Sequence, residues 1–287
     1  MERYYLLLVF LVWVSFSALF AQQTEYENRE GIFYEIRPDA TNANRYTEDN
    51  EIYKQENVYS FNYQYITGNG EELYFQPLYE PHIITGDGEK IEGSFISWEW
   101  EFVSKENLSD DAVTAFQMRV FPGECRNKGQ SCIEFRYIMN AGDSVSRWEK
   151  TGLIENKKNI WLHPPRLWFF RILEINPFPF IQKPYEKGNK WHWSLEIGSQ
   201  WGDPRWKEWE EENIENQYTY EISDVNRPIH TPLGELKCCK IDSYSESELG
   251  KTYLTAYFNE TYGFVRLEYI NIDGSTLNIE LYKADIK

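Results

Sequence analysis

The residues of this chain with most chemical potential are its tryptophans. Eleven occur in 287 residues, and seven of them (Trp161, Trp168, Trp191, Trp193, Trp201, Trp206 and Trp209) share one stretch with His163, His192 and six prolines. Tryptophan is the largest apolar side chain and carries one N–H donor, so it is buried, hydrogen-bonded or used as a binding surface. A cluster this dense is either domain core or the floor of a ligand site. Aromatic rings also stack on the apolar faces of sugars, and Glu99, Glu196, Asp203, Glu208 and Glu210 lie near tryptophans in sequence. Glycoside cleavage needs two carboxylates flanking the sugar, so a carbohydrate site is compatible with the pattern. With 46 acidic residues in the chain, however, such neighbours arise by chance.

Other chemistries find less support. Nucleophilic hydrolysis needs a serine or cysteine on a sharp turn, a histidine base and an orienting carboxylate. No G-x-S-x-G elbow occurs, and His82, His163, His192 and His230 stand in four separate segments. The cysteines, at 125, 132, 238 and 239, form no C-x-x-C pair, and the acidic runs Ser109-Asp-Asp111 and Gly86-Asp-Gly-Glu89 lack calcium-loop spacing. They read as solvated turn acids. No catalytic residue, metal or cofactor is assigned. Cys125 and Cys132 flank a polar turn between two apolar strands, which makes a local disulfide the expectation. Adjacent Cys238 and Cys239 read as one buried, inert thiol on each face of a strand.

Positioning these residues falls to a β framework. Tyr59, Phe61, Tyr63 and Tyr65 alternate with polar residues, as do Trp98, Trp100 and Phe102, Phe116, Met118 and Val120, and Trp191, Trp193, Leu195 and Ile197. Period-2 alternation with glycine-bearing turns such as Gly68-Asn-Gly70 and Asp273-Gly274 predicts antiparallel sheet. One segment departs from it. Pro164–Ile175 opens on two prolines, which suit a first helical turn, and ends before Asn176-Pro177; it predicts one short helix with Arg166, Arg171 and Glu174 on a wetter side. Trp201–Glu212 fits a loop or a second short helix. The fold class is therefore mainly β: an antiparallel, strongly curved sheet or barrel-like single domain with one Pro-bounded helix.

The leader runs Leu6–Val14 as an apolar stretch after Arg3 and reaches a small residue at Ala21, the pattern of a cleaved secretory signal over 1–21. Residues 22–55 are polar and read as partly disordered, and 56–287 as the β domain. Cleavage would leave about 266 residues, with no later run long enough to span a bilayer. The net charge of −17 disfavours nucleic acid and anionic membrane surfaces as partners. The expected location is periplasmic or extracellular.

The last third carries Gly188-Asn-Lys-Trp-His-Trp193, then Thr231-Pro-Leu-Gly-Glu-Leu-Lys-Cys238, then Tyr262-Gly-Phe-Val265 ahead of the closing strand. This arrangement resembles the exported TapB-like proteins of Bacteroidota, a group without an assigned function. The resemblance implies a secreted, mostly antiparallel, barrel-like fold and implies no activity. Without it, Gly234 reads as a turn residue and Gly263 as a bulge or a close backbone approach.

Three readings follow. The first is a non-enzymatic exported β protein that binds a small apolar or amphipathic ligand, or an envelope protein, with Trp161, Trp168, Trp191 and Trp193 lining the site. A filled interior with the helix as its cork is the competing use of those rings. The second is a glycan-binding protein or weak glycoside hydrolase using Trp201, Trp206 and Trp209 with Glu208. The third is a structural interaction module of the cell envelope.

Overall fold

A computed structural model describes residues 25–36, 50–86, 89–122, 129–142, 144–203 and 205–287. The leader over 1–21 and Cys125, with its expected bond to Cys132, lie outside the described residues. Two strands, β1 (Glu25–Arg29) and β2 (Ile32–Ile36), form a hairpin of their own. The remaining fourteen share one antiparallel sheet. These are β3 (Val58–Ile66), β4 (Glu72–Gly86), β5 (Glu89–Ser104), β6 (Val113–Phe121), β7 (Ser131–Met139), β8 (Ser144–Glu155), β9 (Asn159–Leu162) and β10 (Phe180–Gln182), then β11 (Lys190–Ile197), β12 (Ile214–Thr231), β13 (Gly234–Ser247), β14 (Gly250–Asn259), β15 (Gly263–Ile270) and β16 (Thr276–Asp285).

The sheet runs β10-β9-β8-β7-β6-β4-β3-β16-β15-β14-β13-β12-β11, with β5 paired to β4 outside this path. Each half of the chain folds mainly as hairpins between sequence neighbours, and the halves join where β3 pairs with β16, from Ile66↔Thr276 to Val58↔Asp285. The result is a nearly closed barrel, as the alternation predicts. Its two path ends, β10 and β11, face each other across a seam that has no backbone ladder. Side chains close it instead. Phe180 meets Trp191 and Trp161 meets Trp193, each pair with ring centres 5.7 Å apart and edge to face.

The β1–β2 hairpin straps this seam from outside. Phe33 N–H donates to Asn159 Oδ1, Asn156 Nδ2 to the Phe33 carbonyl and Gln182 Nε2 to the Gly31 carbonyl, each at 2.7 Å. Gly31 has φ +102° and sits so close to β11 that a Cβ there would overlap the His192 carbonyl, so only glycine fits. Part of the segment read as partly disordered is thus an ordered hairpin.

The interior is occupied. A 3-10 helix, Trp168–Ile175, lies inside the barrel with every residue but Arg171 buried. A helix that is apolar nearly all round is stable only where protein surrounds it. Phe170 packs against Tyr63, Phe75, Phe116 and Tyr137 with ring centres 5.3 to 5.7 Å apart. The helix begins four residues later than Pro164 predicts: Pro164 and Pro165 lie outside any helix or strand, and Leu167, just ahead of Trp168, is still extended. Glu174, placed on a wetter side by periodicity, is only 4% exposed.

Polar residues on the barrel's inner face dock the helix end. The Ile175 carbonyl accepts from Asn216 Nδ2 (2.8 Å), Ser245 Oγ (2.7 Å) and Thr252 Oγ1 (3.3 Å). Tyr218 and Tyr220 hydroxyls donate to the Glu174 and Phe178 carbonyls. The terminal carbonyls that a helix leaves orphaned are so satisfied by the wall around it. Gly263, read as a bulge or close approach, lies beside a register shift at Tyr257/Phe258, and a Cβ on it would overlap the Tyr53 hydroxyl.

Candidate functional site: a cleft along the barrel seam

Because side chains rather than a ladder close the seam, they leave a cleft of about 990 Å³ between β8–β9 and β11. Trp161 forms one wall and Trp193, Leu195 and Ile197 the other; Phe178 and Glu174 lie at the base, and Ile32 and Tyr34 of the strap cover one end. Trp148 and Trp201 stand at the mouth, 51% and 38% exposed.

The polar groups at the base are arranged unusually. His163 Nδ1 lies 2.8 Å from the Pro164 carbonyl; a carbonyl only accepts, so Nδ1 carries the proton and Nε2 presents a lone pair. Nε2 faces Glu174 Oε1 at 3.7 Å. Burial, and then Arg166, lowers the His163 pKa to about 3, so the ring is neutral and this approach is not an ion pair. Burial also raises the Glu174 pKa to about 7, against the pull of Arg166 and with a further push from Glu149. Glu174 Oε1 has no hydrogen-bond partner, and neither has Trp161 Nε1. Buried polar atoms are normally paired, and both of these residues line the cleft.

Behind them Glu149 Oε1 accepts the Tyr137 hydroxyl at 2.5 Å and the Arg166 N–H at 2.9 Å. Its Oε2 stands 3.7 Å from Arg166 Nε, and burial holds its pKa above the ordinary carboxyl value. The Arg166 guanidinium stacks over Trp201, 4.3 Å from the ring centre. The Lys150 ammonium lies 5.0 Å from the Trp148 ring centre and 3.4 Å from that of Phe121.

Of the tryptophans singled out from sequence, the fold gathers Trp161, Trp193 and Trp201 in this cleft. Trp191 is buried beside it, stacked on Tyr220. Trp168, at the start of the interior helix, packs on Phe75 and Tyr137. Trp206 is half-buried beneath Arg205, and Trp209 is fully buried in a separate small cluster with Ile175, Ile197 and Ile214. Trp209 lies on a five-residue helix, α1 (Lys207–Glu211), whose Glu208 is exposed. Trp201, Trp206 and Trp209 therefore do not share one flat face with Glu208. Asp203 is held by Arg205 at 2.6 and 2.9 Å, and Glu196 accepts from Asn213. Cys238 and Cys239 are both buried, and burial first of all raises their pKa values to about 12 and about 11, so neither is a thiolate near neutrality.

Sequence reasoning missed Trp148, Lys150, Arg166, Glu149 and Glu174. A signal existed for one of them: Glu174 interrupts an apolar run, Trp168–Ile175, in which every neighbour but Arg171 is hydrophobic.

No protein-family profile matches the chain, and no curated protein matches it. Among solved structures, one of a protein thought to be exported, from Bacteroides fragilis NCTC 9343 and with a YmcC-like fold, is 12% identical, covers 83% of this chain and 99% of its own, and gives a TM-score of 0.44. Another, of a protein thought to be a lipoprotein, from Parabacteroides distasonis ATCC 8503, is 10% identical, covers 82% of this chain and 97% of its own, and gives a TM-score of 0.42.

Proposed function

We propose that this chain is an exported, non-enzymatic β-barrel that binds a small amphipathic ligand in its seam cleft. The observation that carries the reading is Glu174: a buried carboxyl whose Oε1 has no partner lies at the base of an aromatic-walled cleft. Burying such a group unpaired is costly, and a ligand's polar group would complete it. The apolar part of the ligand would lie between Trp161 and Trp193. Export rests on the leader-like segment 1–21, and kinship with the TapB-like group on the motifs of the last third; among the described residues no helix is long and apolar enough to cross a membrane.

Intrinsic tryptophan fluorescence and thermal shifts against panels of ten-carbon amphiphiles and of oligosaccharides test the reading. Saturable one-to-one quenching by amphiphiles, with a melting temperature that rises with their concentration, is expected. No response to any amphiphile overturns it.

A second reading has an observation of its own. Trp148 and Trp201 are exposed at the cleft mouth, where they could stack on sugar faces. A response confined to oligosaccharides would favour it over the first.

A further inference from the structure

Two cations meet at the cleft mouth of an acidic molecule. The chain carries a net −17, yet two cations, Lys150 and Arg166, stand together at this opening, with Arg166 Nη2 3.4 Å from the Lys150 carbonyl. Among the described residues no carboxylate pairs with Lys150, whose ammonium rests on the Phe121 and Trp148 rings. The Arg166 guanidinium stands 3.7 Å from Glu149, donates to the Lys150 carbonyl and stacks on Trp201. A guanidinium has five N–H donors, and most of these are unused.

The other charged residues of the lining come from the strap, β11 and the interior helix. Arg29 is bound by Glu27 at 2.7 Å, Glu196 accepts from Asn213, and Glu30 lies on the exposed turn of the strap. Glu174 sits at the base below Arg166, and the partnerless Trp161 N–H adds a donor. Beside Trp148 and Trp201 the cleft thus offers a ligand two cations and a hydrogen-bond donor, each cation on a tryptophan ring open to solvent.

We propose that the cleft selects anionic amphiphiles, with Arg166 and Lys150 holding the ligand's carboxylate and the tryptophan walls its chain. This inference rests on the ligand-binding reading above and names the substrate class of that site. An arginine suits a carboxylate because its fork can donate two parallel hydrogen bonds, while Lys150 supplies a second point charge.

The test compares three ten-carbon probes with one tail and different heads: decanoate, decanol and decylammonium, titrated into the full chain below their aggregation concentrations and at pH 6, where Glu174 keeps its proton and can donate to a carboxylate. Decanoate should bind at least about tenfold more tightly than decanol, decylammonium less tightly than decanol, and the decanoate preference should shrink as salt rises. Arg166→Gln and Lys150→Gln should each cut the decanoate-to-decanol preference about fivefold. Lys150→Gln touches only ring faces, so it keeps the test decisive should Arg166→Gln fail to fold. Equal binding of decanoate and decanol, or tighter binding of decylammonium, overturns this inference and leaves the ligand-binding reading standing. Failure of all three probes to bind overturns both.

Discussion

Glu155 and Glu174 are buried to nearly the same degree, 6% and 4% exposed, and burial raises the pKa of both. Their surroundings differ. Glu155 sits in a cradle: its Oε1 accepts the N–H groups of Glu51 and Ile52 and its Oε2 that of Tyr53, all at 2.8 Å. It pins the segment entering β3 onto the end of β8. Glu174 Oε1 accepts nothing and faces a neutral histidine at the base of a cleft. A buried carboxyl that ties down backbone explains itself by the fold. One left unpaired beside a solvent-reaching cleft is explained by the fold only in its position, and that difference is what directs the functional reading to the seam.

The largest effect should come from breaking the cradle. Glu155→Ala would strand three backbone N–H groups, at about 1–3 kcal/mol each, and should destabilise the protein by about 3–5 kcal/mol in chemical unfolding. A loss below about 1 kcal/mol would mean the cradle is no more structural than the cleft.

The next comparison is made with pH. The Glu174 pKa in the fold, about 7, lies above its ordinary 4.5, so the fold favours the protonated form; that contribution is complete below pH 4.5 and is lost as pH rises through 7. The groups acting on it are Arg166, Glu149 and Arg171, with His163 facing it. The His163 pKa, about 3, lies below its ordinary 6.5; its contribution is complete above pH 6.5 and is lost as pH falls through 3. Between pH 4.5 and 6.5 the two slopes oppose one another, each about 1.4 kcal/mol per pH unit. Relative to the unmodified chain, Glu174→Gln should therefore gain a stability that climbs by about 3 kcal/mol from pH 4.5 to 6.5.

His163→Gln should show the mirror image, a relative stability that falls across the same interval by a similar or smaller amount. Unfolding midpoints measured at half-unit pH steps would read both. Parallel curves for the three proteins would place neither group in the environment described.

The smallest effect on stability, and the sharpest on binding, should come from the mouth. Trp201→Ala should change stability by less than about 1 kcal/mol, since its ring is exposed and, among the described residues, stacks on Arg166 alone. Amphiphile affinity should fall about tenfold. Unchanged affinity would move the binding surface away from this rim.

Much of the framework is legible from residues alone. The alternations at Tyr59–Tyr65, Phe116–Val120 and Trp191–Ile197 correspond to β3, β6 and β11, and the apolar run after Pro165 holds the interior helix. The site is far less legible. Trp161 and Trp193 reach it because they lie on β9 and β11, which come together only across the seam. Trp209, equally prominent in sequence, ends in a different pocket of core. Asn216, Ser245 and Thr252 are polar, yet they point into the barrel, where the end of the enclosed helix needs donors.

By itself, then, the sequence determined the kind of structure: side-chain period and turn chemistry act over a few residues, and they dictate antiparallel strands, one apolar helix and the acidic surface. Only the tertiary structure decided where the sheet fails to close, which aromatic rings flank that gap, and that Glu174, His163 and Arg166 meet beneath it. Those facts depend on contacts between residues far apart in the chain, and on a helix threaded through the interior that reverses which positions count as inside. Local periodicity carries no record of either.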